Sequence, residues 1–147
     1  MTNEPIDGYA ALAPVYDKLN ADVDYDTWAD YIVRRFETEF RGADKPSLLL
    51  ELGCGTGSMT RALCKRGFDM IALDISEEML SVAEARLRTD GFANVLLLHE
   101  SMTDFELYGT VDGVICCLDG INHLTERDAL ADCFCNVARY LNPGGLF

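Results

Sequence analysis

The chain has 147 residues, 49% of them apolar, with a formal net charge of −13 and a pI of about 4.3; that length and apolar content suit one domain with its own core. The excess of carboxylates disfavours nucleic acid and anionic membranes as general partners and suits a small neutral or cationic substrate. No run of eighteen apolar residues occurs, and the opening Met-Thr-Asn-Glu-Pro lacks a basic-then-apolar leader, so the expected location is cytoplasmic with no membrane span.

In chain order, the first 24 residues are the least regular. Tyr9-Ala-Ala-Leu-Ala-Pro-Val-Tyr16-Asp-Lys-Leu19 is semi-apolar and broken by Pro14, which fits a short helix or a flap. An extension that contributes no strand can pack over a cofactor mouth, which makes Tyr16 a candidate contact. Trp28, Ile32, Phe36 and Phe40 recur every four residues and predict an amphipathic helix from Tyr25 to Phe40, capped by Asp24 or Asp26. Residues 1–45 are thus expected to form a helical cap or flap, and residues 46–147 the core of a single domain.

That core alternates strand and helix. Ser47 to Leu52 reads as a strand, followed by a glycine-rich turn and a helix from Ser58 to Arg66 that closes at Gly67. Asp69 to Asp74 is a second strand, and Ser76 caps a helix running to about Thr89 and ending at Gly91. Val95 to His99, nearly all apolar, predicts a strand covered on both faces, and Val111 to Cys117 matches it. Thr125 and Asp128 suggest a capping box for a helix with Leu130, Phe134, Val137 and Leu141 on one stripe, stopped by Asn142-Pro143-Gly144-Gly145. Leu146 and Phe147 would open a fifth strand. Repeated strand–helix–strand units imply right-handed crossovers and an α/β, doubly wound, mostly parallel sheet with helices on both faces. Ligands of such sheets bind beyond the carboxyl ends of the strands, where strand order reverses.

The six cysteines, Cys54, Cys64, Cys116, Cys117, Cys133 and Cys135, contain no Cys-x-x-Cys pair, and His99 and His123 are the only histidines. No metal site is expected. Cys116 and Cys117 should point to opposite faces, and Cys133 and Cys135 should diverge on their helix, as buried thiols of a reducing compartment.

The chemistry concentrates in Glu51-Leu-Gly-Cys-Gly-Thr-Gly57. Gly53, Gly55 and Gly57, with Cys54 between the first two, allow backbone angles closed to other residues and let a ligand lie against bare peptide groups, while the N–H groups opening the next helix face that ligand. A dinucleotide turn wants Gly-x-Gly-x-x-Gly, but its third glycine position here is Ser58. The segment closely resembles the first motif of class I S-adenosylmethionine-dependent methyltransferases, and Tyr16–Leu19, Asp22–Ile32 and Cys116–Leu124 resemble a bacterial small-molecule-type subgroup.

The resemblance implies S-adenosylmethionine as cofactor and a Rossmann-like fold. Glu51 would meet the cofactor's ammonium, directly or through water. Asp74, 21 residues after Gly53, lies in the range where an acid meets an adenosine ribose, with Ile75 and Met79 bordering ribose and adenine. Ser101, where the family often has an acid, and Met102 would lie beside the adenine. Leu118 and Asp119 would border the methionine part, and Asn122 and His123 would be the polar groups nearest an acceptor. The Asn/Asp-Pro-Pro-Tyr tetrad of enzymes that methylate adenine or glutamine amides is absent at Leu118 to Ile121, so no nucleic-acid partner is expected and no catalytic residue is assigned.

The family's sheet has seven strands in the order 3-2-1-4-5-7-6, and the sequence stops as the fifth begins. The fourth strand, with Val111, Val114, Ile115 and Cys117, would then be an open edge prone to homo-oligomer formation. Two alternatives to a methyltransferase with a small-molecule acceptor stand: a non-catalytic cofactor-binding or assembly module, and an NAD-dependent oxidoreductase.

Overall fold

A computed structural model describes residues 12–147; residues 1–11, including the Tyr9–Ala11 part of the expected flap, lie outside the described residues. A short helix, α1 (Tyr16–Leu19), precedes α2 (Tyr25–Glu39). Asp24 caps α2, its Oδ1 accepting from the Thr27 N–H at 3.0 Å, and this satisfies one of the donors a helix start leaves open.

Beyond α2 come β1 (Leu48–Leu52), α3 (Ser58–Cys64), β2 (Asp69–Asp74), α4 (Glu77–Thr89), β3 (Leu96–His99), β4 (Val111–Ile115), a 3-10 turn (Gly120–His123), α5 (Arg127–Tyr140) and β5 (Leu141–Leu146). The strands form one parallel sheet in the order β3-β2-β1-β4-β5. Strand order reverses between β1 and β4, the point at which a doubly wound sheet opens a crevice.

Strand alternation sorts the core into two layers. Leu49 and Met70 pack with Ala29 and Phe36 of α2 and Met59, Ala62 and Leu63 of α3, whereas Leu50, Leu52, Leu73 and Val114 pack with Cys133 and Val137 of α5. The central strand β1 is buried on both faces, so the unbroken Leu-Leu-Leu run is what its position requires. Phe36 packs between Phe40 and Phe68 with tilted rings at centroid distances of 6.2 and 5.9 Å. Its ring lies over Gly113 of β4, close enough that a Cβ there would strike it.

Five expectations need correction. Val95–His99 is only partly covered: β3 is a sheet edge paired with β2 alone, and Leu97 and Leu98 pack into clusters on opposite faces while Leu96 and His99 are exposed. The Thr125–Asp128 capping box does not form, because Glu126 takes the cap position in an extended conformation with no side-chain bond. The fifth strand begins at Leu141 rather than Leu146, through Asn142-Pro143-Gly144-Gly145, with a register shift opposite Val111 and Gly113. Asp112 anchors it by accepting from Asn142 Nδ2 at 3.0 Å, and the Arg41 N–H donates to the Gly144 carbonyl at 2.9 Å. Consequently β4 lies between β1 and β5 and is not an open edge. It also ends at Ile115, although Cys116 and Cys117 still pack into opposite layers.

Candidate functional site

A cleft of about 270 Å³ opens at the carboxyl ends of β1, β2 and β4, within reach of α1. Gly53 and Gly55 form its floor with φ of 67° and 53°, in the left-handed region that favours glycine. A Cβ on Gly53 would come 3.4 Å from Met102 Cε, and one on Gly55 would come 3.9 Å from Tyr16 Cε1. The floor is therefore bare peptide flanked by one side chain from each wall. The Cys54 N–H donates to the Leu73 carbonyl at 2.9 Å, extending the β1–β2 ladder into the turn.

Asp74 closes the end of β2 with both carboxylate oxygens fixed. Oδ2 accepts from the Gly55 N–H at 2.8 Å and Oδ1 from the Ser76 N–H at 2.9 Å. The turn and the acid are thus locked in one geometry, and the remaining lone pairs are free to accept from a ligand. Ser76 then caps α4, its hydroxyl accepting from the Met79 N–H at 3.3 Å.

Glu51 lies beneath the turn and is only 3% exposed. Its Oε2 accepts from the Thr60 hydroxyl. Burial raises its pKa from 4.5 to about 7; the Thr60 bond pulls the other way, and the Asp74 charge adds to the rise. A buried acid facing a cleft is a receptor for a cation, because an incoming positive charge offsets the cost of ionising it.

Of the residues expected at the site, Tyr16, Glu51, Gly53, Cys54, Gly55, Asp74, Ile75, Met79, Ser101, Met102 and Leu118 all border the cleft. Cys54 does so while its thiol packs with Ala72 and Leu80, and burial holds that thiol well above its ordinary pKa. Ser101 Oγ is engaged with Thr103, 2.8 Å from its hydroxyl and 3.2 Å from its N–H.

Gly57 and Asp119 do not border the cleft. Gly57 has φ of 76°, and a Cβ there would sit 3.0 Å from Ala83 Cβ, so this glycine allows α3 and α4 to approach. Asp119, at φ 64°, is exposed and its Oδ1 accepts from Asn122 Nδ2 at 3.2 Å. His123 reaches the cleft and Asn122 does not.

Tyr25, Thr56, Ser58 and Glu100, which no sequence motif singles out as site residues, also border the cleft. Tyr25 opens α2 on the same face as Ile32 and Phe36 and packs against the same core; its phenol pKa is raised by burial and then by the neighbouring Tyr16 and Asp17. Glu100 follows β3 directly, and the rule that ligands meet strand carboxyl ends could have singled it out.

The model of a methyltransferase domain matches residues 49–145. YqeM of Bacillus subtilis (strain 168), itself only provisionally named a methyltransferase, is 32% identical over 139 residues, covering 94% of this chain and 53% of that protein. A crystal structure of an S-adenosylmethionine-dependent methyltransferase from Clostridium acetobutylicum ATCC 824 is similar with a TM-score of 0.78 at 34% identity, covering 93% of this chain and 55% of the other. The S-adenosylmethionine-bound amino pentose methyltransferase of Micromonospora echinaspora is similar with a TM-score of 0.79 at 25% identity, over 90% of this chain and 54% of the other. The chain spans about half the length of these relatives. With the glycine turn, the strand order and these matches in agreement, the chain belongs to the class I S-adenosylmethionine-dependent methyltransferases.

Proposed function

We propose that the chain binds S-adenosylmethionine in the cleft over Gly53 and Gly55 and serves transfer of its methyl group to a small-molecule acceptor. The observation that carries this reading is the bond from the Gly55 N–H to Asp74, which joins bare peptide and a ribose-seeking carboxylate into one receptor. The donor set suits the group. Asp74 offers acceptors to two ribose hydroxyls, Met79 and Met102 offer apolar surface to a purine, and buried Glu51 offers a counter-charge to an ammonium. Nothing in that set requires a phosphate, which favours this cofactor over a dinucleotide.

When bound, the cofactor supplies an electrophilic methyl on a sulfonium. What the chain contributes is alignment, since the displacement passes the sulfonium's positive charge to the acceptor without separating new charge and gains most from a fixed approach geometry. Tyr16 stands over Gly55, and Cys117, Leu118, Gly120 and His123 line the cleft beyond the end of β4, where an acceptor would enter. His123 is the ring base on that side and would take a proton from an oxygen or nitrogen acceptor.

A net charge of −13 supports a small or cationic acceptor over RNA. Six free cysteines fit a reducing cytoplasm, and no helix among the described residues is long and apolar enough to cross a membrane. Among the described strands β3 and β5 lie at the two sides of the sheet.

Two measurements test the reading. Calorimetry should give tighter binding of S-adenosylhomocysteine than of NAD, and the reverse order would favour an oxidoreductase. Labelled methyl should pass from S-adenosylmethionine to the small-molecule fraction of a cell extract. Label in RNA would overturn the acceptor class, and binding without transfer to any fraction would favour a non-catalytic module.

A further inference from the structure

Arg86 sits in the last turn of α4, off the cleft, yet it joins three segments that build the cleft. Its Nη1 donates to the Thr56 carbonyl at 3.0 Å and to Thr56 Oγ1 at 3.2 Å, and also to Ser58 Oγ. Its Nη2 pairs with Asp17 Oδ2 on α1. The triangle closes through Thr56, whose buried hydroxyl donates to Asp17 Oδ1 at 2.6 Å. Asp17 is the neighbour of Tyr16, the side chain that stands over Gly55. One guanidinium thus ties α1, the glycine turn and the start of α3 together from behind.

We propose that Arg86 is a positioning residue: by holding Asp17 and Thr56 at once, it keeps the 12–20 segment down as a strap and Tyr16 across the cofactor cleft. The inference rests on the reading of that cleft as the cofactor site. Only a planar fork with several fixed donors spans a carboxylate, a carbonyl and two hydroxyls; a lysine ammonium at the same place reaches a subset of them. The strap forms a single helical turn, and Ala13 is its one fully buried apolar residue among the described residues. Losing the latch would therefore free the strap while leaving the sheet intact, and would act mainly on how fast a ligand leaves.

The test uses wild type, Arg86→Lys and Asp17→Asn, with S-adenosylhomocysteine as probe. Calorimetry gives Kd, stopped-flow displacement gives the off-rate, and amide exchange of the ligand-free proteins compares residues 12–20 with strand β1. Both variants should raise Kd by about tenfold, the scale of one charge-assisted hydrogen bond, chiefly through a faster off-rate. Both should speed exchange in residues 12–20 and leave β1 unchanged. Because the ion pair is partly exposed, raising salt from about 0.05 to about 0.5 M should weaken binding by wild type and barely alter Asp17→Asn. Asp17 lies at the outer side of the network, so its variant decides the question even if Arg86→Lys fails to fold. Binding by wild type with Kd within twofold in the folded variants would overturn the positioning role alone. A wild type that binds no S-adenosylhomocysteine would overturn the cofactor reading and the positioning role with it.

Discussion

Replacing Glu51 by Gln should stabilise the protein at neutral and alkaline pH while weakening its hold on the cofactor. Glu51 is buried and its pKa stands at about 7, against an ordinary 4.5, because burial penalises the charged form. Between those values the folded protein keeps a proton that the unfolded chain has released. Stability contributed by this group therefore falls as pH rises from about 4.5 and is fully lost above about 7. At about 1.4 kcal/mol per pH unit, ionising Glu51 in the folded state costs on the order of 3 kcal/mol. Gln retains an acceptor for the Thr60 hydroxyl and has no charge to bury. Its advantage over wild type should grow from near zero at pH 4.5 to about 3 kcal/mol at pH 8, roughly 6–12 °C in Tm for a chain of this length. Thermal unfolding of both proteins across that range isolates Glu51, because every other titrating group is common to the two. Parallel pH profiles would refute the reasoning. In the same pair, wild-type affinity for S-adenosylhomocysteine should rise between pH 6 and 8 as Glu51 becomes available to the ammonium, and the Gln variant should lose that dependence.

Asp74→Asn keeps the shape of the side chain but puts a donor where Asp74 accepts from Gly55 or Ser76; Kd for S-adenosylhomocysteine should rise by about 10- to 100-fold by calorimetry, as for a charged bond lost beside a repelled donor. Gly57→Ala places a Cβ at positive φ and 3.0 Å from Ala83 Cβ; urea unfolding should register a loss of about 1–3 kcal/mol, and an unchanged midpoint would contradict the close α3–α4 approach. Iodoacetamide at pH 7.5 should label exposed Cys135 first, as read by mass spectrometry, while Cys116 and Cys117, whose pKa values burial pushes to about 11 and about 12, should stay unmodified in the folded protein.

The parts of the fold that were legible are those where local chemistry and tertiary context agree. Asp69–Asp74 and the Ser76 cap were read to the residue because β2 has a neighbour on each side and α4 follows a side-chain cap. The glycine turn was legible because positive φ and close approach leave few other residues possible there. The misreadings have physical causes. An apolar run such as Val95–His99 does not say how many strands flank it, and β3 has only one neighbour. Asn142-Pro143-Gly144-Gly145 has the composition of a turn, yet Asp112 and Arg41 draw it alongside β4 as a bulged strand. At the site, Asp74 is legible from its spacing to Gly53, whereas Ile75, Met79, Ser101, Met102 and Leu118 are legible only through the family resemblance. Asp119 is expected in the cleft on the same resemblance, but its left-handed backbone and the bond from Asn122 hold it at the surface. Thr56 and Arg86 were invisible as partners because their contact spans thirty residues of chain.

The most direct measurement is a co-crystal structure with S-adenosylhomocysteine. Density for the adenosine should lie over Gly53 and Gly55, with both ribose hydroxyls within hydrogen-bonding distance of Asp74 and the amino group directed toward Glu51. A ribose held anywhere other than at Asp74, or a cleft still filled only by solvent at saturating ligand, would contradict it.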